Sequence, residues 1–246
     1  MHIFHILYFL LGLMFGSFIN VIIYRIPKKL SIIKPRSFCP ICKSSIPLYK
    51  NIPIVSFVIQ LGKCAKCNEK ISISYPVIEF TIGLIWLLSS IYFNTFNEIV
   101  YFSSISTLLI AISIIDYKYF IIPLQLSITA FILITISLCL TQSFIYHIDG
   151  LIIGTGYLSF IFLLTWGVTR RQALGLGDIQ LVLILGYWLG DLRIFLVIFL
   201  SALVALIFWS VLSLIYGYDN KRKLPFGTFL SIIAILIYPL EINIFI

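Results

Sequence analysis

Charge is what this sequence has least of. Asp, Glu, Lys and Arg make up 11% of its 246 residues, against 61% hydrophobic residues and a mean hydropathy of +1.12; a soluble domain carries roughly 25% charge. That scarcity excludes an ordinary soluble domain and places the chain in a lipid bilayer. The three histidines are scattered. The formal net charge of +8 is read by position, because basic residues in membrane proteins record sidedness before they record partners, so no nucleic-acid partner is expected. The first apolar run, Ile3 to Tyr24, also lacks a preceding basic region and a cleavage site of the Ala-x-Ala kind. It is expected to be a permanent anchor and not a removable signal peptide.

Apolar runs are plentiful. A bilayer-spanning helix needs about 20 mostly apolar residues, and eight runs approach that length, at approximately 3–24, 76–93, 99–116, 120–140, 145–168, 178–190, 193–216 and 226–245. The sixth is the shortest. The fold class is therefore an all-α polytopic membrane protein of about eight helices. Between the first two runs, Arg25 to Tyr75 holds ten of the seventeen Lys and Arg residues and one acid, Glu69, which marks it as cytoplasmic. Alternating sides from there brings Lys118, Arg170, Arg171, Lys221, Arg222 and Lys223 to the same face, leaves Arg193 alone outside, and turns both termini outward.

Among the nine acids, two stand at expected helix ends on the cytoplasmic side. Asp116 follows Leu108 to Ile115, and Asp178 follows Leu174-Gly175-Leu176-Gly177. A helix-start carboxylate is favoured by the helix dipole, so Asp178 alone reads equally well as a cap. Asp116 closes its helix, where the dipole opposes negative charge. A pair of carboxylates sharing one proton can hydrolyse a peptide: one draws a proton from water while the other hydrogen-bonds the scissile carbonyl. The candidate catalytic residues are therefore Asp116 and Asp178. Gly175 and Gly177 leave room for a substrate strand beside them.

Four of the five cysteines form two Cys-x2-Cys pairs, Cys39 with Cys42 and Cys64 with Cys67, with 21 residues between Cys42 and Cys64. This is close to the spacing of zinc ribbons. Four thiolates make a closed tetrahedral site with no position left for catalytic water, so the zinc is structural, stapling a loop too short to bury much core. Disulfides are the alternative, disfavoured on the cytoplasmic side. Cys139 lies alone in an apolar run and reads as a small core residue. Three segments follow: a first transmembrane helix (1–24), a cytoplasmic zinc-binding domain carrying the four cysteines (25–75) and a membrane-embedded peptidase domain (76–246).

Gly16-Ser17-Phe18-Ile19-Asn20-Val21, Tyr24-Arg25-Ile26-Pro27, the cysteine pairs flanking Asn51-Ile52-Pro53-Ile54, Gly62-Lys63-Cys64, Ile71-Ser72 with Tyr75-Pro76 and Glu79, Ile122-Pro123 after Asp116, Gly175-Leu176-Gly177-Asp178 and Pro225-Phe226-Gly227 follow one another in this order. Together they resemble the type IV prepilin peptidases over nearly the whole chain. The resemblance implies an aspartyl endopeptidase of the bacterial cytoplasmic membrane, with Asp116 and Asp178 as its catalytic pair. It implies cleavage after a glycine that ends the short basic leader of prepilin or pseudopilin precursors. It also implies methylation of the new N-terminus by S-adenosylmethionine, although no glycine-rich nucleotide loop of a soluble methyltransferase is visible. Two positions depart from the family pattern: Leu124 where relatives often carry an acid, and Gln180 where they often carry lysine. The basic inner surface does not attract a basic leader, so recognition falls to local acids such as Glu69, Glu79 or the pair itself, or to positioning in the membrane. A transporter would use such boundary acids for cations, but no inverted repeat is visible. A non-catalytic assembly factor does not need both aspartates, and a presenilin-like protease shares the GxGD element without the cysteines.

Overall fold

The structure, a computed structural model, describes residues 2–141, 144–170, 175–219 and 222–240, and the regular elements among them are helices. Wherever lipid touches a chain, each backbone N–H and C=O must find its partner within the segment, so apolar runs of this length fold as helices. In order they are α1 (His2–Arg25), α2 (Val55–Ile59), α3 (Ser74–Tyr92), α4 (Phe96–Tyr119), α5 (Leu124–Thr141), α6 (Phe144–Thr169), α7 (Leu176–Leu189), α8 (Asp191–Tyr216) and α9 (Phe226–Ile237). Five of them, α1, α3, α4, α6 and α8, are long and apolar enough to cross a membrane; α5, α7 and α9 are apolar but shorter. The chain is an all-α, multi-pass membrane protein.

The helix limits differ from the expected runs where proline intervenes. The fourth run was expected from residue 120, but α5 starts at Leu124, because Pro123 supplies no N–H to continue α4 yet is tolerated at a helix start. The eighth was expected to reach residue 245. Its helix stops at Ile237, two residues before Pro239, as a helix approaching proline commonly does. The rest of that run, 241–245, lies outside the described residues, as do Arg171, Leu174 and Lys221. α4 continues past its expected end to Tyr119, which puts Asp116 inside its last turn.

The chain forms two compact units, Met1–Ala111 and Ile112–Ile246. In the first, α1 lies along α3. A Cβ on Gly16 would stand 2.7 Å from the Cα of Glu79, so the two backbones touch there, an approach that small residues permit between apolar helices. Phe15 stacks on Trp86 at 4.9 Å, and the Trp86 indole N–H donates to Thr107 Oγ1 at 3.1 Å. In the second unit α7 is the core element: every residue from Leu181 to Leu189 except Leu183 is buried. Gly186 of α7 meets Gly150 of α6 backbone to backbone, with no room for a Cβ on either.

Candidate active site and metal centre

Asp116 and Asp178 both belong to the second unit. A helix leaves its first N–H groups without intrahelical partners, and α9 aims one of them, that of Thr228, at α4. The Thr228 N–H donates to Asp116 Oδ2 at 2.8 Å, and the Thr228 hydroxyl lies 3.1 Å from the same oxygen and 2.9 Å from the Ser113 carbonyl. Asp116 is 5% exposed and Thr228 8%, so these contacts are made away from water, where an unmatched polar group is costly.

Asp178 is the third residue of α7. Its Oδ2 accepts the Gly175 N–H at 3.1 Å while its own N–H donates to the Gly175 carbonyl at 3.0 Å. The capping geometry expected of it is present, and it is compatible with a second role. The start of α7 and the start of α9 are spaced by one side chain, Ile122 from the α4–α5 loop. A Cβ on Gly177 would stand 3.2 Å from Ile122 Cβ, and one on Gly227 would stand 2.8 Å from Ile122 Cδ1 and 3.1 Å from Asp116 Oδ2. Gly227→Ala is therefore expected to push Asp116 off its donors and to lower precursor cleavage by about 10- to 100-fold, because small misplacements of reacting groups carry penalties of that order. The ratio of variant to wild-type initial rates measures it.

The two departures from the family pattern sit differently. The Gln180 amide donates to Ser127 Oγ at 2.6 Å, tying α7 to α5, whereas Leu124 is 57% exposed. Thr228 and Ser113 have no counterpart among the residues the sequence singled out. Pro225-Phe226-Gly227 marks the place, but only the fold shows that the residue after it caps Asp116.

In the first unit the four cysteines converge. Their sulfurs all lie within 4.8 Å of one another, with Cys39 to Cys67 at 3.9 Å and Cys42 to Cys64 at 4.0 Å. A tetrahedron of sulfurs about 2.3 Å from a central zinc has edges of about 3.8 Å, so the cluster fits that ion and is far from the S–S length of a disulfide, about 2.0 Å. The two knuckles repeat each other 25 residues apart. Lys43 N–H bonds the Cys39 carbonyl at 2.9 Å, as Asn68 N–H bonds that of Cys64, also at 2.9 Å; both of these turn residues have φ +57°. Bridges Phe38 to Ser45 and Lys63 to Lys70 close the loops alike. The Ser44 hydroxyl, and then its N–H, hold the Cys42 thiol down at about 6, and the N–H groups of Cys67 and Lys66 lower Cys64. Glu69 N–H pulls Cys67 the same way, but desolvation and the three neighbouring sulfurs push it up to about 12. Four thiolates this close cannot all ionise without a cation among them.

Beside the knuckles the first unit encloses a cavity of about 570 Å³, lined by α1, α3 and the loop between them. Glu79, 8% exposed, lies on its wall, its Oε2 accepting the Ile54 N–H at 2.7 Å, and Glu69 lies at the wall formed by the second knuckle.

The family model described as the bacterial peptidase A24 N-terminal domain matches residues 10–93, and that of the type IV leader peptidase family matches residues 103–210. The chain is 30% identical to the prepilin leader peptidase/N-methyltransferase of Bacillus subtilis (strain 168), over 94% of this chain and 92% of that protein. It is 33% identical to the type 4 prepilin-like proteins leader peptide-processing enzyme of Escherichia coli O78:H11, over 90% and 88%. With the prepilin leader peptidase/N-methyltransferase of Myxococcus xanthus the identity is 35%, over 76% of this chain but 56% of the longer relative. No solved structure matches it significantly. Two family domains in the expected order, with the Bacillus and Escherichia relatives aligned over nearly their whole length, agree with the helices and the two acids: this chain belongs to the prepilin leader peptidase/N-methyltransferase family.

Proposed function

We propose that the protein is a membrane aspartyl endopeptidase that removes the short basic leader of type IV prepilin-like or pseudopilin precursors. Cleavage falls after the leader's last glycine, at the cytoplasmic face of a bacterial inner membrane. What supports this most is that Asp116 of α4 is held by the Thr228 N–H that opens α9, while the start of α7, which carries Asp178, packs on the same Ile122 side chain as the start of α9, in a chain of this family. The pair holds one proton. Its ionised member takes a proton from water, the resulting hydroxide adds to the scissile carbonyl carbon, and the protonated member gives its proton to the carbonyl oxygen. As the diol collapses, one of its hydroxyls returns a proton to the pair and the C–N bond breaks, its electron pair leaving on the amine, which takes up a proton from the pair. Water is consumed and the pair ends with one proton again.

The family membership and the basic loop support eight crossings, α5, α7 and α9 included, in the three segments 1–24, 25–75 and 76–246. Sixteen of seventeen basic residues then fall on the cytoplasmic side. This places the paired acids where a leader in water meets an apolar helix in lipid. Cys39, Cys42, Cys64 and Cys67 hold a structural zinc; their sulfur spacing fits it. By the relatives' names the reading extends to N-methylation of the new N-terminus, for which S-adenosylmethionine, when bound, supplies an activated methyl group. The cavity of about 570 Å³ is within the range of small-molecule sites.

The test is cleavage of a pilin-like precursor by the purified protein in lipid vesicles, with the product N-terminus read by mass spectrometry. A single cut after the leader glycine is expected. No cut in any pilin-like precursor, by protein that retains its fold, would overturn the reading.

A further inference from the structure

Two buried charges of opposite sign line the cavity of the first unit, and among the described residues neither is matched by a counter-charge. Arg25, 3% exposed, gives its guanidinium to the carbonyls of Ser31, Pro35 and Arg36 at 2.8, 2.7 and 3.2 Å. Glu79 accepts the Ile54 N–H at 2.7 Å, with Ser17 and Asn20 on the same lining. Burying an ion costs several kcal/mol unless a partner or an ordered polar shell offsets it. Here two such ions face one space. The donor to Glu79 is itself unusual. Ile54 has φ +58° and ψ −52°, a conformation that a β-branched residue adopts only under constraint, and such constraint gathers at ligand clamps. Asn20 supports the same wall by donating to the Tyr75 carbonyl at 3.1 Å.

We infer that this cavity is the binding site for S-adenosylmethionine, its amino-acid end matched by Glu79 and Arg25. The inference rests on the methyl-transfer reading above. A zwitterionic amino-acid group presents an ammonium to Glu79 and a carboxylate to Arg25. A leader peptide's basic side chains find Glu79 and Glu69, but they leave the buried Arg25 unmatched and meet Lys50, Lys66 and Lys70 on the same lining. The rings of Tyr24 and Phe38 also line the space; Phe38 already has the Arg25 guanidinium 5.5 Å from its centroid, and Tyr24 has Lys28 Nζ at 3.8 Å. These are faces suited to an adenine or a sulfonium. The site is separate in sequence from the paired aspartates, so ligand binding and peptide cleavage can be scored apart.

The experiment is calorimetric titration of S-adenosylmethionine into the full-length, zinc-loaded protein and two variants, Glu79→Gln and Val21→Trp. The first removes a charge and the second fills the cavity from α1. Each is expected to weaken binding by about 10- to 100-fold, for Glu79→Gln the worth of a buried charged hydrogen bond, while zinc content stays at the wild-type level in both and precursor cleavage stays at the wild-type level in Val21→Trp. A photoreactive adenosyl analogue on the wild-type protein keeps the test open should a variant misfold: labelling within residues 17–79 is expected, and labelling confined to 112–246 overturns the inference. Wild-type affinity in both variants overturns it while leaving methyl transfer standing. A wild type that neither binds S-adenosylmethionine nor methylates overturns both. Displacement of the cofactor by a leader peptide that protects the same residues assigns the cavity to the peptide and overturns it as well.

Discussion

Asp116→Asn and Asp178→Asn are each expected to lower the rate of precursor cleavage by about 10³- to 10⁴-fold, with little change in KM. Losses of this order follow when a general acid or base is removed. The structure makes asparagine a discriminating choice. Asp178 accepts the Gly175 N–H at 3.1 Å, and Asp116 accepts the Thr228 N–H at 2.8 Å; an amide oxygen accepts either bond in the same place, without the charge assistance of a carboxylate. The cap on α7 and the tie between α4 and α9 therefore survive the substitution, and what disappears is the capacity to exchange a proton. Initial rates on a purified precursor, with thermal unfolding as the check on fold, measure the effect. If both variants cut at wild-type rates, the carboxylates are helix-terminal anchors only, and the mechanism proposed here is wrong.

Metal removal is expected to produce the second large effect. Nearly fifty residues separate α1 from α3, and they carry only the five-residue α2 and the 3-10 turn Leu48–Lys50 as regular structure. Val58, Ile59 and Leu61 in that segment are 62%, 74% and 84% exposed, so apolar burial contributes little to holding it. A structural zinc contributes roughly 10–16 kcal/mol in peptides of this kind. Wild-type protein is expected to carry one zinc per chain by mass spectrometry. Cys39→Ser, or a strong chelator, is expected to raise the rate of proteolysis between residues 26 and 73 by about two orders of magnitude. Unchanged protease resistance in zinc-free protein would show that the thiols do not organise the loop through a metal. Cys39, at 7% exposure, is the informative one to change, since it is the most enclosed of the four.

Much of this was legible without coordinates, for reasons particular to each part. The helices were, because in lipid an apolar run has one way to satisfy its backbone; their ends were misplaced where Pro123 and Pro239 act, since hydropathy carries no term for a missing N–H. The cysteine pairs were legible because metal ligands need fixed chemistry at fixed spacing. Asp116 and Asp178 stood out as acids at boundaries where charge is expensive. Thr228 did not: a threonine opening an apolar run is ordinary, and its contact with Asp116 spans 112 positions of chain. Nor did the pairing of Arg25 with Glu79 across one cavity. Each belongs to a motif, but nothing in a linear pattern says that two buried charges face the same space while holding only neutral partners.

The meeting of Gly150 and Gly186 has a consequence for motion. Gly186 stands eight residues beyond Asp178, about 12 Å along α7 at 1.5 Å per residue. With backbone against backbone at that point, α7 has no slack to slide along α6 or to roll on it, since either displacement drives a peptide unit into its neighbour. Asp178 is thus mounted on a fixed post. Any opening that admits an extended peptide to the paired acids has to come from parts free of that lock, such as the Ile121–Pro123 segment or the first turn of α9.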